Sequence, residues 1–502
     1  MYSYKLKCRD YPLPNLNIGY KLYSLRFDNE EINKKFNIVK KKYNRHHNRI
    51  SRNEYLIKKL NGIIYQSKND LMENVSSNSL QNKISIKTAK KNIDKYYSDF
   101  SWDKMKLYTN PYELIFLSSN KFLQNKIHSV AKIEPLSRSF FKMIEISNNY
   151  FQEEIKMDKS ITSLHLAEGP GGFIEALVYL RKKHCISKIQ KEDMYYGITL
   201  LDNAYEVPSW KKSGRFMKDN LNVNILTGVD GIGDLCNPDN LRYLYQRFKH
   251  NKMDIVTGDG GFDFSVDYNL QEYVAFPLIL CQFIAGLSCL KREGKFMCKI
   301  FDMNTIIMVE LLYIIQCYFD EISFFKPKTS RLANSEKYIV CTGFKGITDD
   351  EITKLISIIE NFNSLDVDNC NFIREFINKK THTGDISSNI INNKIECNND
   401  GINDGINDDN DIKIIDYLFL PSMVYGDDEK EITSEKVPNS FFKYINKINT
   451  EIIKKQIENI NFTIKQIELL NAKKINYKWF EEVQKQQLEN AIQWCQENGI
   501  PY

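Results

Sequence analysis

"LHLAEGPGGFIEALVYL" (residues 164–180) opens as an apolar strand, breaks at Gly169, Pro170, Gly171 and Gly172, and resumes as a helix. A strand, a glycine turn and a helix in that order let a ligand approach bare backbone beside the positive end of a helix. The spacing is G-x-G-G-F, short of the G-x-G-x-x-G of a dinucleotide site. On its own it is equally the turn of an ordinary strand-to-helix connection.

The flanking texture points to a sheet. Short apolar runs at 163–167, 195–200, 223–226, 253–258, 294–300, 321–325 and 337–343 alternate with helical patterns at 172–183, 238–250, 270–291 and 305–318. That alternation predicts an α/β fold with a mostly parallel, seven-stranded sheet flanked by helices. Ligands in such sheets lie at the carboxyl ends of the strands, near the point where strand order reverses. The glycine turn, the loop at Asp202 and the acid at Asp259 would then face one cleft.

At 502 residues, with 42% hydrophobic and 12% aromatic content, the chain can hold about two to four domains with real cores. The boundaries read as a basic, partly helical extension over 1–105, with a helical pattern at 53–65, and an α/β domain over 106–345. A helical region over 346–502 follows. Within it, 381–413 is rich in Asn and Asp, repeats GINDGIND at 401–408, and reads as a flexible insertion. Residues 1–100 carry 21 Lys and Arg against 9 Asp and Glu, although the whole chain is nearly balanced at 69 against 64. Such an arm is either a contact surface for an anionic polymer, nucleic acid first among them, or a solvated lysine-rich face.

The 11 cysteines form no C-x-x-C pair, and Cys281, Cys289, Cys298, Cys317 and Cys341 lie in apolar runs, so they read as buried free thiols. Seven scattered histidines suggest no metal site. Neither an apolar signal core nor an 18-residue apolar run is present, which predicts a soluble intracellular protein of nucleus or cytoplasm with no membrane partner.

Lys299 stands inside the apolar run FMCKIF, where an amine needs a partner or a task. Around it, "SRSFFKM" (137–143), "AEGPGGF" (167–173), "DGGF" (259–262), "GKFMCKIFD" (294–302) and "FKPKTSRLANSEKYIVCTGF" (325–344) occur in that order. Together they resemble the FtsJ/RrmJ-type S-adenosylmethionine-dependent ribose 2′-O-methyltransferases. "NPYE" (110–113), the run at 269–290, "SRLANSEKY" and the terminal "QWCQENGIP" (493–501) look like the cap-specific mRNA (nucleoside-2′-O-)-methyltransferase 1 group within that family.

The resemblance implies a Rossmann-like methyltransferase fold with helical N- and C-terminal extensions, S-adenosylmethionine as cofactor, and no metal. It implies a catalytic tetrad of Lys142, Asp259, Lys299 and Glu336, with Lys299 as the base for a ribose 2′-hydroxyl. For that task the lysine's pKa should fall, through burial and the charge of Lys142. Cofactor contacts fall on Ser137, on Ala167, Glu168, Gly169, Pro170, Gly171, Gly172 and Phe173, on Asp234 and Leu235, and on Asp259. The implied partner is the 5′ end of capped mRNA, with a capping enzyme or RNA polymerase as further candidates. The chain departs from the group at His165, at Glu168, where a small residue is usual, and at Leu332, where proline is usual. Two alternatives stay open: a methyltransferase of ribosomal or other structured RNA, and a catalytically silent RNA-binding scaffold.

Overall fold

The computed structural model of the chain describes residues 2–7, 21–26, 77–96, 101–117, 129–202, 207–261, 271–364, 411–417 and 438–502. Its centre is one sheet of eight strands: β1 (Tyr2–Lys7), β2 (Thr162–Leu166), β3 (Met194–Ile198), β4 (Val223–Leu226), β5 (Met253–Gly258), β6 (Leu290–Ile300), β7 (Phe319–Lys326) and β8 (Lys337–Phe344). Their order across the sheet is β1-β7-β8-β6-β5-β2-β3-β4. The pairs β6–β5, β5–β2, β2–β3 and β3–β4 are parallel. The pairs β1–β7, β7–β8 and β8–β6 are antiparallel.

Two expectations are corrected here. The sheet has eight strands rather than seven, and it is mixed. The added strand comes from the N-terminal arm: YSYKLK alternates apolar and polar residues, and Tyr2, Tyr4 and Leu6 pack on the core. It covers the open edge of β7, which would otherwise present a row of unpaired backbone groups. β6 also starts at Leu290 rather than 294, because Leu290 pairs with Met253 ahead of a register shift.

The central strands are buried on both faces, as a crossover topology requires. All six residues of β5 are buried. Successive residues serve opposite cores. Val256, Phe296 and Ile339 join the layer under helices α6 (Gln271–Cys289), α7 (Ile306–Tyr318) and α8 (Asp349–Ser364). Ile255, Met297 and Tyr338 join the layer under α3 (Ser139–Tyr150) and α4 (Gly172–His184). Helix α5 (Pro238–Phe248) starts on a proline after Asn237, whose side chain accepts from the Asp239 amide at 3.0 Å.

A third, smaller core lies between the chain's two ends. Ile86, Ala89 and Ile93 of α1 (Ser77–Ile93) and Trp102 and Met105 of α2 (Ser101–Tyr108) pack on Ile453, Ile460 and Ile467 of α9 (Asn439–Asn471). The last helix, α10 (Tyr477–Asn498), buries Trp494 against Phe141. The helical pattern expected at 53–65 and most of 381–413 lie outside the described residues; residues 411–413 begin a strand, Asp411–Tyr417, paired with Lys21–Arg26. Cys281, Cys289, Cys298, Cys317 and Cys341 are buried and belong to no disulfide. Among the described residues no helix is long and apolar enough to cross a membrane.

Candidate active site

The glycine turn closes β2 against its neighbours at their carboxyl ends. The Ala167 amide donates to the Ile198 carbonyl at 2.8 Å, the Asp259 amide to the Leu166 carbonyl at 3.2 Å, and the Gly169 amide to Thr199 Oγ1 at 3.3 Å. A side chain at Gly233 would strike the Thr199 carbonyl. Residues 167–172, Gly233 with the following Asp234 and Leu235, and Asp259 therefore surround the ends of β2 to β5. Gly171, at φ +106°, has the left-handed backbone that favours glycine. A Cβ at Gly169 would meet the Ser209 backbone at 2.5 Å, so the turn packs directly on that loop.

Not every expected cofactor residue presents its side chain there. Phe173 and Leu235 are buried in the cores. Ser137 sits behind the turn, its hydroxyl bonded to Ser139 Oγ and both against Gly172. Glu168 turns inward and accepts the amides of Phe173 and Ile174, capping α4. Burial raises its carboxyl well above the usual range, the two amides oppose this, and Asp259 adds to the rise. Asp234 Oδ1 accepts the Cys236 amide at 2.9 Å. A glycine-rich strand-to-helix turn with Asp259 beside it suits an adenosine-bearing, positively charged cofactor of the kind the sequence resemblance implies.

The four tetrad positions meet as two ion pairs. Lys142 Nζ lies 2.7 Å from Glu336 Oε1 and 2.9 Å from Oε2. Lys299 Nζ lies 3.1 Å from Asp259 Oδ1 and donates to the Asp259 carbonyl at 2.7 Å. Burial would raise Glu336, but Lys142 and Lys299 outweigh it and hold the carboxyl at about 2. For Lys299 the expected direction is reversed. Burial does push its pKa down, but Asp259 and Glu336 prevail and the net shift is upward.

Sequence reasoning missed the residues that hold this arrangement. Tyr338, directly opposite Lys299 in the β6–β8 ladder, donates to Asp259 Oδ1 at 3.0 Å. Lys326 donates to the carbonyls of Asn334 and Glu336 at 2.8 and 2.6 Å and fixes the loop that carries Glu336. Ser330 donates to Glu336 Oε1 at 2.9 Å. Glu113, almost fully buried, gathers three of the quoted motifs. Its carboxylate takes Arg138 at 2.9 Å, Arg331 at 2.8 Å and Asn110 at 2.6 Å. The signal was available: NPYE holds one acid, and each of two Ser-Arg pairs holds an arginine to meet it. Among the described residues no group of three His, Cys, Asp or Glu side chains is placed to hold a metal ion.

The FtsJ-like methyltransferase family matches residues 135–344. The cap-specific mRNA (nucleoside-2′-O-)-methyltransferase 1 of Xenopus laevis is 31% identical over 268 residues, covering 51% of this chain and 30% of the relative. The Homo sapiens protein of the same name is 30% identical over 265 residues, with the same coverage. The chain thus spans under a third of the length of these relatives. Among solved structures, a ribosomal RNA methyltransferase from Plasmodium falciparum aligns with 42% of this chain and 100% of its own, at 18% identity and TM-score 0.30. Human methyltransferase-like protein 13, solved with SAH, aligns with 45% of this chain and 90% of its own, at 9% identity and TM-score 0.29. The match to the FtsJ-like methyltransferase family is thus confined to residues 135–344, under half of the chain.

Proposed function

We propose that the chain methylates the ribose 2′-hydroxyl of the first transcribed nucleotide of capped mRNA, with Lys299 as general base. The observation that carries this reading is the pair of lysine–carboxylate contacts, Lys299–Asp259 and Lys142–Glu336, within the segment that matches the FtsJ-like family. The similarity to cap-specific relatives, at about 30% identity over half of the chain, supports the choice of capped mRNA.

S-adenosylmethionine, when bound, supplies an electrophilic methyl group and a positive charge. The backbone of 167–172 and the residues around Gly233 would hold it, with Asp259 facing its charge. Without it, Asp259 and Glu336 keep Lys299 charged, and an ammonium cannot accept a proton. A second cation near Asp259 competes for that carboxylate and moves Lys299 back toward its neutral form. Tyr338, bonded to the same oxygen, limits how far Asp259 can turn. Lys142 and Glu336 remain paired, so Lys299 alone changes charge state. Alignment of the hydroxyl with the methyl supplies the remaining acceleration.

The test uses purified protein, labelled S-adenosylmethionine and one short RNA carrying a methylguanosine cap, an unmethylated cap or no cap. Cap-dependent label on the first ribose supports the reading. Transfer only to uncapped RNA redirects it to structured RNA. RNA binding without transfer in any case leaves a scaffold.

A further inference from the structure

Lys299 and Glu336 stand where sheet gives way to loop. β6 ends at Ile300 and β8 begins at Lys337, and these two residues are the last pair of their ladder. Beyond it, side chains hold the two loops from two directions. From the matched segment, Glu272 of α6 accepts the Asn304 and Thr305 amides at 3.0 and 2.8 Å, and Lys326 donates to the Asn334 carbonyl at 2.8 Å. From outside residues 135–344 comes α9. Its Asn449 Nδ2 donates to the Met303 carbonyl at 3.1 Å and to Asn304 Oδ1 at 2.9 Å. Its Gln456 Nε2 donates to the Ala333 carbonyl at 3.1 Å.

Asn449 and Gln456 are seven residues apart and so share one face of α9. Both are nearly buried, at 5% and 3% exposure, so water does not readily replace their bonds. The helix that presents them is anchored along its length. Phe441, Ile445, Ile448 and Ile452 join the main core, and Ile453, Ile460 and Ile467 join the third one. One face of a fixed helix therefore bonds both the loop that follows Lys299 and the loop that precedes Glu336. The separation of the loops is tied to the separation of the two amides.

We propose that Asn449 and Gln456 are positioning residues for methyl transfer, acting through these loops to set Glu336 against Lys299. The proposal rests on the reading of the chain as a 2′-O-methyltransferase. Glu336 is one of the two acids that act on the charge of Lys299, and a base must also be aimed at its hydroxyl. A loop free to shift would disturb both. The catalytic pairs lie within residues 135–344, and the helix that sets their spacing does not.

The test uses the full chain with Asn449→Leu, Gln456→Met and the double variant, which remove the donors and keep side-chain bulk. Ile460→Ala, in the core that α9 shares with α1 and α2, is the control for lost stability. Each donor removed should lower kcat about tenfold and the double variant about 10²-fold, the cost of a misplacement of about 1 Å. The KM for cofactor and the calorimetric affinity for S-adenosylhomocysteine should stay within about twofold of wild type, because the turn at 167–172 is untouched. Hydrogen exchange at 301–305 and 331–336 should accelerate in the double variant. Ile460→Ala should lower the melting temperature and leave kcat near wild type. The proposal is overturned if the double variant keeps the wild-type kcat, or if Ile460→Ala lowers kcat as far as the double variant does, since α9 would then act through stability alone. A wild type that transfers no methyl group to any RNA removes the enzymatic reading. Exchange at the two loops then decides the clamp by itself: faster exchange in the double variant keeps it, and wild-type exchange removes it.

Discussion

Lys299 and Tyr338 face each other across the β6–β8 ladder and both bond to Asp259, the lysine at 3.1 Å from Oδ1 and the tyrosine hydroxyl at 3.0 Å from the same oxygen. The base of the proposed reaction is therefore held by an acid that is itself pinned from the neighbouring strand.

Lys299→Met should remove that base while keeping the cleft. We expect kcat to fall about 10²- to 10⁴-fold, the usual contribution of a positioned base. S-adenosylhomocysteine affinity, read by calorimetry, should change far less, because the backbone around 167–172 is untouched. Retained turnover in the methyl-transfer assay would remove Lys299 from the mechanism.

The pH dependence follows from the upward shift of Lys299. A base is active when deprotonated, so a raised pKa moves the rising limb of the rate profile to higher pH. With cofactor varied, kcat/KM reports the enzyme before the cofactor binds and should still be climbing at about pH 9, near the unperturbed lysine range. By contrast, kcat reports the loaded complex, where the added positive charge lowers the lysine. Its limb should lie at lower pH. Coincident limbs would show that cofactor charge does not tune Lys299.

Arg181 anchors the far end of α4, the helix that follows the glycine turn. It bonds Asp193 through Nε at 2.9 Å and Nη2 at 2.8 Å, and donates to the carbonyls of Glu154, Ile155, Met157 and Lys159. Both side chains of the ion pair are fully buried. Arg181→Met leaves a buried carboxylate without its counter-charge, and urea unfolding should report a loss of about 3–5 kcal/mol. Asp193→Asn added to Arg181→Met should recover part of it. A single-variant cost near zero would mean that water reaches Asp193.

Particular residues show where sequence reading reached and where it stopped. The turn at 169–172 and the strands ending at Leu166 and Gly258 were legible because apolar runs bounded by glycine signal their own ends. Lys142, Asp259, Lys299 and Glu336 were singled out through the resemblance, and the fold brings them into two ion pairs. The direction of the Lys299 shift was not legible. It depends on whether two acids or one lysine lies nearer, which is a matter of ångströms rather than residue types. Glu168 was expected at the cofactor, yet an unfilled helix N-terminus five residues on claims its carboxylate. Lys90 was counted with the basic arm, and its partner lies 212 residues away.

That partner, Asp302, lies three residues beyond Lys299, and the Lys90 Nζ to Asp302 Oδ2 distance is 2.5 Å with both side chains nearly buried. The pair fastens α1 to the segment that carries the proposed base. Burial would raise the Asp302 carboxyl, but Lys90 and then Lys337 hold it below the usual range. A carboxyl with a depressed folded pKa stabilises the protein above its unfolded value near pH 4, and the contribution is lost as pH falls through the folded value. Lys90→Met should therefore cost about 2 kcal/mol at pH 7, less than a wholly unpaired charge because Lys337 remains, and its cost should shrink on acidification toward pH 3. Hydrogen exchange over residues 77–93 should accelerate in the variant, since α1 would then pack through its small core of Ile86, Ala89 and Ile93 without that ion pair. Wild-type protection of α1 in Lys90→Met would show that this core is sufficient to hold α1 in place.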